Sequence, residues 1–216
     1  MGRYWPQTDS YRPTHTLQSD TGPSAEENEL SLFEFLMVLV SIIVGLGVAE
    51  ILTGVARQIR SRGSSVAYWV HSCGVTVIFF ALLQNWWELW GLRDVDEWVF
   101  SGLVLMLLTP AGLYLIAHLI FPDPIEGAEI KAYYYGAMRP IWWLAVLVAI
   151  ASTLFRPLAF GADLIDLDNA AAVLMVIAFI TLGTSKSVVV HSVLVPALLL
   201  LLLWDILWWI PTVRLG

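Results

Sequence analysis

Charge is scarce in this chain. Of its 216 residues, 13% are charged and 58% are apolar, against roughly 25% charged in an average soluble domain. That is too little charge to clothe a soluble domain of this size, whereas lipid removes the need for such a surface. Cysteine is nearly absent. Cys73 stands alone, which excludes an intrachain disulfide, a zinc site built from several thiolates, and a thiolate-bound cluster within one chain. Net charge is −7 and the one basic cluster is Arg57-Gln58-Ile59-Arg60-Ser61-Arg62, so nucleic acid is not an expected partner. Also lacking are a phosphate-cradling glycine loop, a zinc-protease motif, a nucleophile elbow and a nucleotide fingerprint. Gly45-Leu46-Gly47 is too short and too apolar to serve as one. Residues 1–29 lack the early basic and apolar regions of a cleaved signal peptide. They read as a disordered polar tail, leaving the first membrane helix to act as an uncleaved signal.

What is present is apolar sequence in long runs. Crossing the hydrocarbon takes roughly 20 apolar residues at about 1.5 Å each. Residues 33–56, 66–90, 99–121 and 188–210 meet this cleanly. Ile141–Phe155 stops at Arg156-Pro157 and lengthens through Leu158-Ala159-Phe160, giving 141–160. Ala170–Gly183 has only 14 residues and lengthens toward Leu164, giving 164–183. The expected fold is therefore all-α, a polytopic membrane bundle of six transmembrane helices over residues 30–212. A re-entrant pair at helices four and five is the alternative.

Local signals fit these boundaries. Ser31-Leu32-Phe33-Glu34 matches the capping box, which accounts for Glu34 structurally. Pro140 suits the first turn of helix four. Gly63-Ser64-Ser65 reads as a turn with a serine cap before helix two. Gly183-Thr184-Ser185-Lys186 is so short a connector that helices five and six should be antiparallel neighbours. The loop Pro122–Pro140 should hold a short helix lying on the inner membrane surface.

Near the spans, Arg57, Arg60, Arg62, Lys131, Arg139 and Lys186 fall on one side, and Arg93, Arg156 and Arg214 on the other. The positive-inside rule then puts both termini on the non-cytoplasmic side of a plasma membrane. Trp86, Trp87, Trp90, Trp98, Trp204, Trp208 and Trp209 map to the outer boundary, and Trp69, Trp142 and Trp143 to the inner one. Indoles favour the headgroup level, so two interfacial belts are expected.

Several stretches resemble a group of uncharacterised bacterial multi-pass inner-membrane proteins. They include Leu32-Phe33-Glu34-Phe35-Leu36, Ser41-Ile42-Ile43-Val44-Gly45-Leu46-Gly47, Leu52-Thr53-Gly54, Tyr68-Trp69-Val70-His71, Gln84-Asn85-Trp86-Trp87-Glu88-Leu89-Trp90, Phe121-Pro122-Asp123 and Ala132-Tyr133-Tyr134. The similarity spans about residues 31–145. It implies a bacterial inner-membrane protein and transfers no activity.

Ionisable residues within spans are costly and often functional. Glu50 shares a helix face with Gly47 and Gly54, and small residues admit a close neighbour. Its carboxylate should therefore meet another helix. It either fixes packing or serves as a proton or ion site. Alternating helix direction puts His71, His118 and His191 at the same membrane face as Glu50. Four such ligands could hold a divalent metal or pass protons, or the histidines could hydrogen-bond to backbone and headgroups. Helices one and two are close in sequence, which nominates Glu50 with His71 first, His191 next and His118 last.

At the outer face, Asp205 continues a polar stripe on helix six with His191 and Ser187, and Arg93 or Arg156 is its expected partner. Gln84 and Glu88 lie among the aromatics ending helix two, as an interfacial anchor or a small binding pocket. The function so read is a small transporter, sensor or accessory subunit. Its partners are the bilayer and other membrane proteins or further copies of itself. The alternatives are a metal- or haem-dependent membrane enzyme using the inner Glu/His layer, and a homo-oligomeric channel with Glu50 or Asp205 in its pore. No particular cofactor follows from the sequence.

Overall fold

A computed structural model describes residues 32–61, 67–93, 100–124, 129–160 and 168–208. These form six helices: α1 Leu32–Arg60, α2 Trp69–Leu89, α3 Phe100–Leu119, α4 Ile130–Phe160, α5 Asp168–Thr184 and α6 Val188–Trp208. A 3-10 turn, Trp90–Leu92, finishes α2. Among the described residues there is no β-strand. Ser31, the Gly63–Ser65 turn, Trp98, Trp209 and the tail 1–29 lie outside the described residues.

The helices close into a ring in which α1 touches α3, α3 touches α4, α4 touches α5, α5 touches α6, α6 touches α2, and α2 returns to α1. Helix α2 also packs on α3 and grazes α4, which makes it the central element. The α1–α2 and α5–α6 neighbours expected from short connectors are both present. Val40, Val70, Leu82, Ile116, Leu182 and Val195 occupy the core, essentially without exposure.

Four helices contain segments long and apolar enough to cross a membrane: Phe33–Arg60, Phe100–Leu119, Ile130–Phe155 and Val188–Leu207. Helix α2 carries His71, Gln84, Asn85 and Glu88, which dilute its apolar character. Helix α5 has 17 residues, about 26 Å of rise, slightly short of the roughly 30 Å hydrocarbon. Only 22% of the most apolar window of α6 is buried, and its outward face shows Val189, Val193, Leu200 and Leu207. Exposed apolar surface on this scale suits lipid and not water. Hydroxyls on these helices are satisfied locally. Thr76, Thr153, Thr181 and Thr184 each donate to the carbonyl four residues back, at 2.8 to 2.9 Å.

Helix α4 corrects the expected boundary. It runs 31 residues from Ile130, with Pro140 and Pro157 inside it, so residues 130–140 are its first turns and not a separate surface helix. The cause is an apolar stripe at helical spacing: Ile130, Tyr134, Met138, Ile141, Trp142 and Ala145 are all buried. Pro140 lacks the N–H that would bond the Gly136 carbonyl. Tertiary burial along the stripe carries the helix past it. Through Leu158–Phe160, α4 extends as expected.

Glycines set the closest approaches. A Cβ on Gly54 would overlap the Phe121 ring, one on Gly112 would overlap Val148, and one on Gly47 would sit 2.9 Å from Leu82. The small-residue face of α1 around Glu50 is thus packed, as its spacing indicates.

Candidate functional site

Where α1, α3 and α5 end, carbonyl groups are left without intrahelical partners, and the negative ends of three helix dipoles gather. Side chains meet them, from other helices at α3 and α5 and locally at α1. Tyr133 of α4 donates its hydroxyl to the Leu119 carbonyl at 2.6 Å, with the Phe121 carbonyl at 3.3 Å. His71 of α2 places Nε2 at 2.8 Å from the Ile120 carbonyl. A carbonyl only accepts, so Nε2 carries the hydrogen. Arg139 of α4 donates Nε–H to the Gly183 carbonyl at 3.1 Å, near the end of α5. Ser61 closes α1 through the Gln58 carbonyl at 3.2 Å.

His191, in the first turn of α6, is 3% exposed. Its Nε2 lies 3.0 Å from the Ser185 carbonyl and its Nδ1 2.9 Å from the Tyr134 hydroxyl. The tautomer with hydrogen on Nε2 satisfies both contacts, with Tyr134 donating to Nδ1. The His191 ring also lies edge-on to Tyr134 and Tyr135, and His71 is edge-on to Phe121. Tyr68 and Tyr135 share a hydroxyl–hydroxyl bond of 2.9 Å.

The expected pairing of Glu50 with His71 is corrected by this geometry. Glu50 Oε1 meets His118 Nδ1 at 3.3 Å, with the glutamate side chain 31% and the histidine 58% exposed. His71 is instead fully buried at the end of α3, with no partner for Nδ1 among the described residues. Thus His118, ranked last from sequence, is the residue that Glu50 reaches. Four residues at a common depth resolve into an open Glu50–His118 pair, a His71 cap, and a His191–Tyr134 bond. Among the described residues no three His, Cys, Asp or Glu side chains gather to hold a metal ion. The four-ligand metal arrangement is therefore not formed.

The residues expected at the outer face do converge. Gln84 Nε2 donates to Asp205 Oδ2 at 2.5 Å and to Glu88 Oε1 at 2.9 Å. Here α2 and α6 are joined by an amide placed between two carboxylates. Nearby, Trp86 Nε1 donates to Ser41 Oγ of α1 at 2.8 Å. Asp205 thus meets an amide; the side chain of Arg156 lies outside the described set.

Sequence reasoning missed one concave feature. A cleft of about 280 Å³ opens between the first turns of α4, the end of α5 and the connector into α6. Tyr134, Tyr135, Arg139, Trp142, Lys186 and His191 help line it. Trp142, expected in an interfacial belt, is instead 5% exposed and stacked on Phe179 at 6.1 Å, with its indole N–H unpartnered. Trp69, Trp87, Trp90, Trp143 and Trp204 are exposed as belts require. The usable signal was the 3.6-residue spacing of Ile130, Tyr134, Met138, Ile141 and Trp142 through Pro140. The chain matches no protein-family model, no curated protein and no solved structure.

Proposed function

We propose that this chain is a six-span bacterial inner-membrane protein that binds a small ligand at its cytoplasmic face, as a sensor or accessory subunit without a reaction of its own. The observation that carries this reading is the cleft beside Tyr134 and His191. It has buried polar side chains in its wall and room for a small molecule. A conducting role has less support. Between this cleft and the Gln84–Asp205 cluster lies a void of about 10 Å³ lined by apolar residues such as Val77, Ile116 and Leu198. That is about one water's worth of space, without polar partners to hold it.

The charge distribution supports the topology. The basic residues near the spans favour the face bearing the cleft. Reporter fusions test the topology: residues 60 and 130 should report from the cytoplasm and both termini from outside. A cytoplasmic C-terminus would reverse the orientation. An odd number of crossings would end the six-span reading. For the binding role, Cys73→Ser, Ser185→Cys protein in inverted membrane vesicles should react with a membrane-impermeant maleimide. Failure of the folded protein to react would remove the cleft as a solution-facing site.

A further inference from the structure

We propose that the cleft takes a phosphate-bearing anion, with Arg139 and Lys186 as its counter-charges. The inference rests on the cleft being the ligand site and adds the chemical class of the ligand. The chain has 18 acidic and 11 basic residues, yet among the described residues the cleft lining contains Arg139 and Lys186 and no aspartate or glutamate. That local reversal of sign needs an explanation, because two cations facing one small space repel each other unless an anion or solvent screens them. Arg139 is held in place at Nε by the Gly183 carbonyl. Its terminal nitrogens have no protein partner among the described residues, and they form a planar fork matched to phosphate oxygens. Lys186 is exposed and likewise unpaired among the described residues.

Two further features point the same way. Ser185 and Lys186 lead directly into α6, and His191 belongs to its first turn. The cleft therefore adjoins the positive end of a 21-residue helix. Trp142, in the wall, is more than nine-tenths buried and its N–H has no acceptor among the described residues. A donor left so is destabilising unless an acceptor arrives. The unpartnered side-chain groups at the cleft, the Arg139 fork, Lys186 and the Trp142 N–H, are thus donors or cations, and the carbonyl end of α5 on the facing wall is met at Gly183 by Arg139. At about 280 Å³, the space fits a free phosphate, a phosphate monoester or the headgroup of an anionic phospholipid.

The test uses the full-length protein in nanodiscs of phosphatidylcholine. Inorganic phosphate and glycerol phosphate are added to one set. A second set replaces part of the lipid with phosphatidylglycerol. Thermal unfolding is followed, together with protection of the thiol in the Cys73→Ser, Ser185→Cys protein from maleimide. Protection by the soluble phosphates identifies a free ligand, and protection only by phosphatidylglycerol identifies a lipid headgroup. In either case Lys186→Gln should weaken the effect about tenfold, the loss of one charge-assisted contact. Arg139→Gln should weaken it at least as much. Should Arg139→Gln fail to fold, Lys186→Gln alone decides, since its side chain is exposed and makes no hydrogen bond or ion pair among the described residues. If the introduced thiol reacts but no phosphate source protects it, the anion assignment is overturned and the cleft reading stands. If that thiol never reacts in the folded protein, both fall together. Equal protection with and without Lys186→Gln would also overturn the assignment.

Discussion

His71 reaches across from α2 to donate its Nε2 hydrogen to the Ile120 carbonyl, 2.8 Å away at the end of α3. A fully buried histidine here completes a helix end. Replacing it with alanine leaves that carbonyl without its donor, at an expected cost of about 1–3 kcal/mol. His71→Ala should lower the unfolding midpoint of the purified protein, and His71→Gln should recover part of the loss. An unchanged midpoint in His71→Ala would mean the carbonyl finds another partner.

The Glu50–His118 pair should behave differently because both side chains are partly open. Exposed ion pairs contribute about 0.2–1 kcal/mol. His118→Ala and Glu50→Gln should therefore each shift stability by less than about 1 kcal/mol. Added zinc should leave the wild-type midpoint where it was, since no third ligand lies within the described residues. A zinc-dependent rise abolished by His118→Ala would revive the metal reading.

At the opposite end of the bundle, Gln84 is bound to both Asp205 and Glu88. Hydrogen bonds to charged groups contribute about 1.5–3 kcal/mol. A double-mutant cycle with Gln84→Leu and Asp205→Leu should give a coupling energy above about 1 kcal/mol. Additive single effects would show that α2 and α6 are held there by apolar packing alone.

Glycine positions offer an internal control. Gly54→Ala drives a methyl into the Phe121 ring, while Gly45 has open space around it. Overpacking costs about 1–3 kcal/mol, whereas alanine in an unobstructed helix gains up to about 1 kcal/mol. Gly54→Ala should lower, and Gly45→Ala should raise or preserve, the unfolding midpoint. The same sign for both would contradict the packing of α1 on Phe121.

Hydropathy and length made the six helices legible, because runs such as Val188–Trp208 have no other stable use for so much apolar sequence. Depth was legible too. Alternating direction placed Glu50, His71, His118 and His191 at one end, and their contacts lie there. Azimuth was not legible. Whether Glu50 turns to α2 or α3 depends on how α1 rolls against both, and Gly54 on Phe121 decides that in favour of α3. Pro140 misled the reading of α4, since a local breaker was weighed above a stripe of buried residues on both sides of it. The cleft escaped notice because its residues come from three helices and carry no motif; Arg139 and Lys186 counted only as loop charge.

The side-chain capping of α3 also bears on how the chain is assembled. Its last carbonyls are met by His71, made before it, and by Tyr133, made after it. Under the proposed topology, α3 would leave the insertion machinery half-completed and find its remaining donor only when α4 follows. Helices three and four should therefore enter the bilayer as one unit. Chains truncated after residue 124 should be degraded faster in cells than chains ending after residue 160, and Tyr133→Phe should move the longer chain toward the shorter one. Equal lifetimes for the two truncations would show that α3 is retained without its partner.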